Sequence, residues 1–252
     1  MRTSKTLFAV CFFFCSVAVM YGQGGFYLTE SLDTSDSYET TPQCGITNGT
    51  QQTVSCSQTW VVQGASGGMQ VMAKNGYGVK KMYTHTEVLI GADGVSASDS
   101  AAGGQGSEDT LSVVGLTGQP TALVRIEAEC ASCAVYSSSD VIYTLQAWWG
   151  PTENYSSTCV AGLLLAPNCT LNVPVLYDIS TRQPYPIVIA PYLVIENESG
   201  VINGEAGNFV ETTIDIGFDG TLPATVRAEV IKPNGAVIEG VTVLGASGYI
   251  YN

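Results

Sequence analysis

The sequence predicts an all-β protein, an antiparallel β-sandwich, and three observations carry that expectation. From Thr53 onward, short runs of β-branched and aromatic residues are punctuated by Gly, Asn and Pro, with Asn-Gly pairs at Asn48, Asn75, Asn203 and Asn234. Asn-Gly supplies the positive φ that tight hairpin turns require. Near the end of the chain Val210, Thr212, Ile214 and Ile216 alternate with Glu211, Thr213 and Asp215, the period-2 signature of a strand with one buried and one wet face. Finally, apolar residues make up 45% of the 252 residues and charged ones 12%, too few Lys and Glu for long solvated helices and too much apolar surface for disorder or a coiled coil.

The chain opens with Arg2 and Lys5, then an apolar run of 14 residues from Leu7 to Met20, then Gly22, Gln23, Gly24 and Gly25. A charged start, a short apolar stretch and a small-residue exit describe a cleaved signal peptide, assigned to 1–22. The run falls short of the roughly 20 residues of a membrane span. With Arg2 and Lys5 removed, seven basic residues face 22 acidic ones, a net charge of −15 that repels phosphate backbones and argues against nucleic acid as a partner.

Residues 23–43 are acidic, rich in Ser and Thr, and read as a flexible arm. Six cysteines remain after the signal: Cys44, Cys56, Cys130, Cys133, Cys159 and Cys169. An even number in an exported chain reads as disulfides, and the three consecutive pairs, Cys44 with Cys56, Cys130 with Cys133 and Cys159 with Cys169, are the expected pairing. A zinc site at the C-x-x-C of Cys130 would need a second close pair or histidines, which the other spacings do not supply. Residues 91–109, with Asp93, Asp99, Glu108 and Asp109, read as a long structureless acidic connection with no calcium-loop spacing.

Gly115 to Val135 matches Gly217 to Val237 at a constant offset of 102 residues, 8 of 21 positions being identical, Arg125 and Glu127 recurring as Arg227 and Glu229. That offset is the size of an immunoglobulin-like sandwich. The expectation is therefore two tandem immunoglobulin-like sandwiches, 44–150 and 151–252, stabilised by disulfides, with one large sandwich over 44–252 as the alternative.

Chemistry-bearing residues are sparse. His85 is the only histidine, which excludes a multi-histidine metal site, and in Tyr83-Thr84-His85-Thr86-Glu87 it reads as an ordinary strand residue. No nucleophile elbow accompanies it. Glu127 and Glu129 share a strand face with Arg125, a pattern of cross-strand ion pairs rather than of glycosidase carboxylates flanking a cleft. In Asp140 to Trp149, Val141, Tyr143, Leu145, Ala147 and Trp149 form the apolar face, which leaves Trp148 on the polar one, where an indole stacks on a sugar or a partner side chain. Sequons stand at Asn48, Asn154, Asn168 and Asn197.

The resulting expectation is a secreted, extracellular, non-catalytic protein for adhesion, matrix or carbohydrate contact. Trp148 is its ligand-binding candidate, its partner is an extracellular protein or carbohydrate, and no catalytic residue, cofactor or metal is assigned. The alternative is a secreted hydrolase of glycosidase type, with acid and base carboxylates on separate strands and a cleft between them.

Overall fold

The computed structural model describes residues 26–34, 43–44, 53–62, 64–117, 121–131, 140–149, 156–162 and 168–252. They form fifteen strands and, among the described residues, no helix. In chain order these are β1 (Phe26–Thr34), β2 (Gln43–Cys44), β3 (Thr53–Val62), β4 (Ala65–Asn75), β5 (Val79–Ile90), β6 (Val95–Gly106), β7 (Asp109–Val114) and β8 (Leu123–Glu129). They continue as β9 (Asp140–Trp149), β10 (Ser156–Gly162), β11 (Asn168–Pro174), β12 (Ile187–Gly204), β13 (Phe209–Ile216), β14 (Ala224–Ile231) and β15 (Thr242–Gly245).

All pairings are antiparallel, and two sheets face each other. Sheet A runs β10-β9-β12-β6-β1-β2, with β7 beside β12 and β15 beside β7. Sheet B runs β11-β8-β14-β5-β4-β3, with β13 also on β5. The β-sandwich expected from composition and alternation is thus present. Its alternation is plain in β13, where Ile214 and Ile216 are buried while Glu211 and Thr213 are exposed. The turn expected from Pro233-Asn234-Gly235 is closed by Gly235 N–H to the Lys232 carbonyl at 2.8 Å, with Gly235 at φ 85°.

Three expectations are corrected. The arm at 23–43 contains β1, which pairs with β6 over nine residues from Phe26 opposite Gln105 to Thr34 opposite Ala97. The acidic connection at 91–109 contains β6, a central strand between β12 and β1, and the start of β7. Its residues are small because one face of the strand packs on sheet B: Ala97, Asp99, Ala101 and Gln105 face inward and are buried, so the alanines leave room for larger side chains opposite. Asp109 is buried and accepts hydrogen bonds from Tyr251 Oη at 2.8 Å and Ser247 Oγ at 2.5 Å, which dock the C-terminal residues. Asp93 accepts from Ala206 N–H at 2.8 Å in a turn.

The division into 44–150 and 151–252 does not correspond to separate sandwiches. β12 lies between β6 and β9, and β14 between β5 and β8, so strands from both sides of the division share both sheets. The repeat has a different cause, because its two copies are neighbours. β8 and β14 pair antiparallel with Arg125 opposite Glu229 and Glu127 opposite Arg227. An Arg-x-Glu strand is complementary to its own antiparallel copy, and opposite charges directly across a ladder are favourable. Arg125 does ion-pair with Glu229, and its Nε lies 3.3 Å from Glu127.

The interior divides into two apolar clusters. One is built from β8, β9, β11, β12, β14 and neighbouring strands around Ile126, Leu145, Leu171, Ile189, Leu193 and Val226; the other lies among β3 to β6 around Trp60, Met69, Val71, Val88 and Ile90. Polar groups are buried as well. Lys80 is wholly buried, donating to Asn75 Oδ1 at 2.6 Å and Ser107 Oγ at 2.9 Å, and Asn75 passes the link on to the Gly106 carbonyl at 2.5 Å. This tie joins β4 and β5 of sheet B to the end of β6 in sheet A. Burial holds the Lys80 ammonium down at about 7. Trp60 Nε1 makes a second inter-sheet tie by donating to Asp99 Oδ2 at 2.9 Å, and burial pushes the Asp99 carboxyl up to about 6.

Candidate functional site

Because β5, β4 and β13 bury every second residue, their remaining side chains stand on the outer face of sheet B, and register sorts them into rows across β13, β5, β4 and β3. One row is Phe209, Leu89, Ser66 and Val61. The next is Glu211, Glu87, Gly68 and Thr59, followed by Thr213, His85, Gln70 and Ser57 and then by Asp215, Tyr83, Met72 and Ser55. The first row is unusually apolar for an outer face, with Phe209 54%, Leu89 42% and Val61 83% exposed.

Two glycines shape this face. At Gly67, whose ladder partners Trp60 and Val88 are buried, a Cβ would collide with the Glu87 carbonyl and the Trp60 indole, so the bare backbone makes room beneath this face for the ring that Asp99 anchors. At Gly68 a Cβ would meet the Glu87 carboxylate at 3.2 Å, so the missing side chain leaves space beside that carboxylate. An open depression of about 250 Å3 results, bounded by Val61, Ser66, Glu87, Leu89 and Phe209. It is half open to solvent, and Glu87 is the carboxylate among its lining residues.

Beside the depression His85, Glu87 and Glu211 come together, with one ligand-type atom from each lying within 4.8 Å of the others. His85 Nδ1 lies 2.9 Å from Thr213 Oγ1, and Nε2 lies 3.7 Å from Glu87 Oε2. Glu87 and Glu211 sit directly opposite one another in the ladder. Negative charge dominates here. Burial first, and then the carboxylates of Asp219, Asp215 and Glu211, hold the Tyr83 phenol above its usual range, against the hydrogen bond from Thr213.

The residues singled out in the sequence are scattered. Trp148 is half-buried on the outer face of sheet A, in register between Ser156 and Val188, while Trp149 packs on the larger core beside buried Leu145 and Ala147. The split of β9 into two faces follows the sequence reading, but Trp148 is on the opposite side of the sandwich from the depression. Glu127 and Glu129 are on the outer face of sheet B, on β8, within the Arg125 and Arg227 ladder. Of the sequons, Asn168 is exposed, whereas Asn197 is buried with its Nδ2 donating to the Thr212 carbonyl at 2.9 Å and is closed to glycosylation. Asn48 and Asn154 lie outside the described residues, as do 1–22 and Cys133. Cys130 and Cys169 are buried in the larger core, and Cys56 packs on the smaller one.

The grouping of His85 with Glu211 was missed because the partners are far apart in the chain. The usable signal was the shared alternation of two strands, each with a carboxylate on its wet face.

No family model matches the chain, and no curated protein matches it. Among solved structures, one match carries the description "Structural basis for the promiscuous specificity of the carbohydrate-binding modules from the beta-sandwich super family". It is 13% identical, covers 78% of this chain and 85% of that chain, and superposes with a TM-score of 0.18, too low to carry an argument. Among the described residues no helix is long and apolar enough to cross a membrane.

Proposed function

We propose that this is a secreted, non-catalytic β-sandwich protein that contacts an extracellular carbohydrate through the outer face of sheet B. The observation that carries the proposal is the exposed row Phe209, Leu89 and Val61 running directly beside Thr59, Glu87 and Glu211, with Gln70 and His85 in the row beyond. Sugars present an apolar C–H face and a rim of hydroxyls, so an apolar strip next to hydrogen-bonding side chains suits both. An open depression with one lining carboxylate also suits a binder better than a glycosidase, whose carboxylates work from the two sides of a bound sugar.

Export rests on the Arg2 to Gly25 segment. The disulfides are part of the same proposal. β10 and β11 end the two sheets on one side and contact each other, and β2 and β3 end them on the other. Cys159 and Cys169 are therefore on edge strands in contact, and Cys44 and Cys56 are each on the last strand of their sheet at the other edge, so those two pairings would staple both edges of the sandwich. Cys130 with Cys133 completes the set. Trp148 on sheet A is proposed as a separate contact.

The test is a glycan array probed with the mature chain, with each hit assayed for hydrolysis. Phe209→Ala combined with Leu89→Ser should abolish binding to the hits while Trp148→Ala leaves those contacts intact. Hydrolysis of a hit, lost in Glu87→Gln, would replace the binding reading with the glycosidase one.

A further inference from the structure

We propose that His85, Glu87 and Glu211 form a mononuclear zinc site on the outer face of sheet B. The proposal does not depend on the carbohydrate reading, since its donors, its electrostatics and its test concern the metal alone.

Chain geometry brings the donors together. Glu87 and Glu211 are directly opposed across the β5–β13 ladder, and His85 stands two residues before Glu87 on the same face. Like charges opposed in this way are unfavourable unless a cation lies between them. Among the described residues no Lys or Arg pairs with either carboxylate; the only basic group in reach is His85, whose Nε2 is 3.7 Å from Glu87.

The imidazole is set up as a ligand from behind. His85 Nδ1 is 2.9 Å from Thr213 Oγ1 and Nε2 is 3.7 Å from Glu87 Oε2; in the tautomer that donates Nδ1–H to Thr213, Nε2 is left free to ligate, and this is how metal-bound histidines are oriented by a second hydrogen bond. In a tetrahedral zinc site with bonds of about 2.1 Å, ligand atoms stand roughly 3.4 Å apart. The observed group, within 4.8 Å, reaches that spacing by small side-chain rotations, for which the absent side chain at Gly68 leaves space beside Glu87.

One imidazole and two carboxylates select a borderline transition metal over calcium or magnesium, which prefer oxygen-only shells of six or more ligands. Three protein donors at an exposed position leave the fourth site open to water or to a ligand resting on the sheet face.

The experiment is isothermal titration of the chelator-stripped mature chain with zinc chloride near pH 7.5, with calcium chloride in a parallel run. The expected result is one zinc per chain, with binding weakened at least 10-fold in His85→Ala and in Glu211→Gln. Thr213→Val should weaken it roughly 10-fold through loss of the orienting hydrogen bond. Glu127→Gln, a carboxylate elsewhere on the same sheet face, should bind as the parent does. All four positions are on the outer face, and circular dichroism of each variant verifies its strand content. Absence of zinc binding, equal binding by His85→Ala, or calcium matching zinc would each overturn the assignment.

Discussion

Lys80→Met should change how the stability of this protein depends on pH, and the expected change can be worked from one buried side chain. The Lys80 ammonium is wholly buried with two neutral partners, Asn75 Oδ1 and Ser107 Oγ, and among the described residues no carboxylate forms an ion pair with it. Burial lowers its affinity for a proton from the ordinary 10.5 to about 7. Between those values the unfolded chain binds a proton that the folded chain does not, so stability rises with pH across the window and the penalty is full below pH 7. At about 1.4 kcal/mol per tenfold, the whole window is worth on the order of 5 kcal/mol, and the part from pH 7 to 9.5 about 3 kcal/mol. Tyr83, Tyr177 and Tyr251, all raised by burial, keep their protons in that range, so they do not contribute a slope. Methionine keeps the volume and removes the titration. It leaves Asn75 and Ser107 without their donor, at about 1 to 3 kcal/mol, independent of pH in this range. Urea unfolding followed by tryptophan fluorescence at pH 7, 8, 9 and 9.5 should therefore give a parent curve that rises by about 3 kcal/mol relative to the variant. Parallel curves would mean that Lys80 titrates normally, and with it the account of a desolvated inter-sheet tie would fail.

Asp99 should give the opposite slope: its folded value of about 6 lies above the ordinary 3.8, so the folded state holds the extra proton and stability falls by roughly 3 kcal/mol as pH rises from 4 to beyond 6. Asp99→Asn, which still accepts from Trp60 Nε1, should flatten that limb in the same urea series. Trp149→Ala should cost about 3 to 5 kcal/mol in thermal or chemical unfolding because the ring packs on the larger core, whereas Trp148→Ala should cost far less. Exchanging the charges of β8 alone, Arg125→Glu with Glu127→Arg, should lower the melting temperature by setting like charges across the β8–β14 ladder, and the matching exchange Arg227→Glu with Glu229→Arg should restore it.

How far the fold could be read depended on what each strand carries. β13 was legible because its inward residues are Ile and Val and its outward ones Glu and Thr. β6 was not, because Ala, Gly and Ser have little β-propensity and their use is dictated by the side chains opposite, among them Trp60 and Met69. β1 carries Phe26, Leu28 and Leu32 at even spacing, a signal outweighed by the Ser, Thr and acidic residues around it. Lys80 was a harder case. Its strand alternates as Lys80, Met82, Thr84, Thr86, Val88 and Ile90 on the buried side, and a lysine at the head of such a series reads as a surface residue until its partners are seen.

The site was hidden for a reason that also explains the misread repeat. A strand declares which of its residues share a face, but not which strand will lie beside it. His85 and Glu87 were visible as wet-face neighbours, and Glu211 as a wet-face residue, yet their meeting depends on β13 docking against β5 more than a hundred residues earlier in the chain. The repeated Arg-x-Glu had the converse problem: two similar segments were visible and were assigned to two domains, when their similarity suits them to be partners in one ladder. An internal repeat in a β protein therefore has two physical readings, duplication of a unit or self-complementary pairing, and charge order separates them. In antiparallel neighbours, identical Arg-x-Glu copies set Arg against Glu at both positions. In a parallel pair they would set like against like. The order here favours antiparallel pairing of β8 with β14, and that pairing joins the two halves of the chain in one sheet.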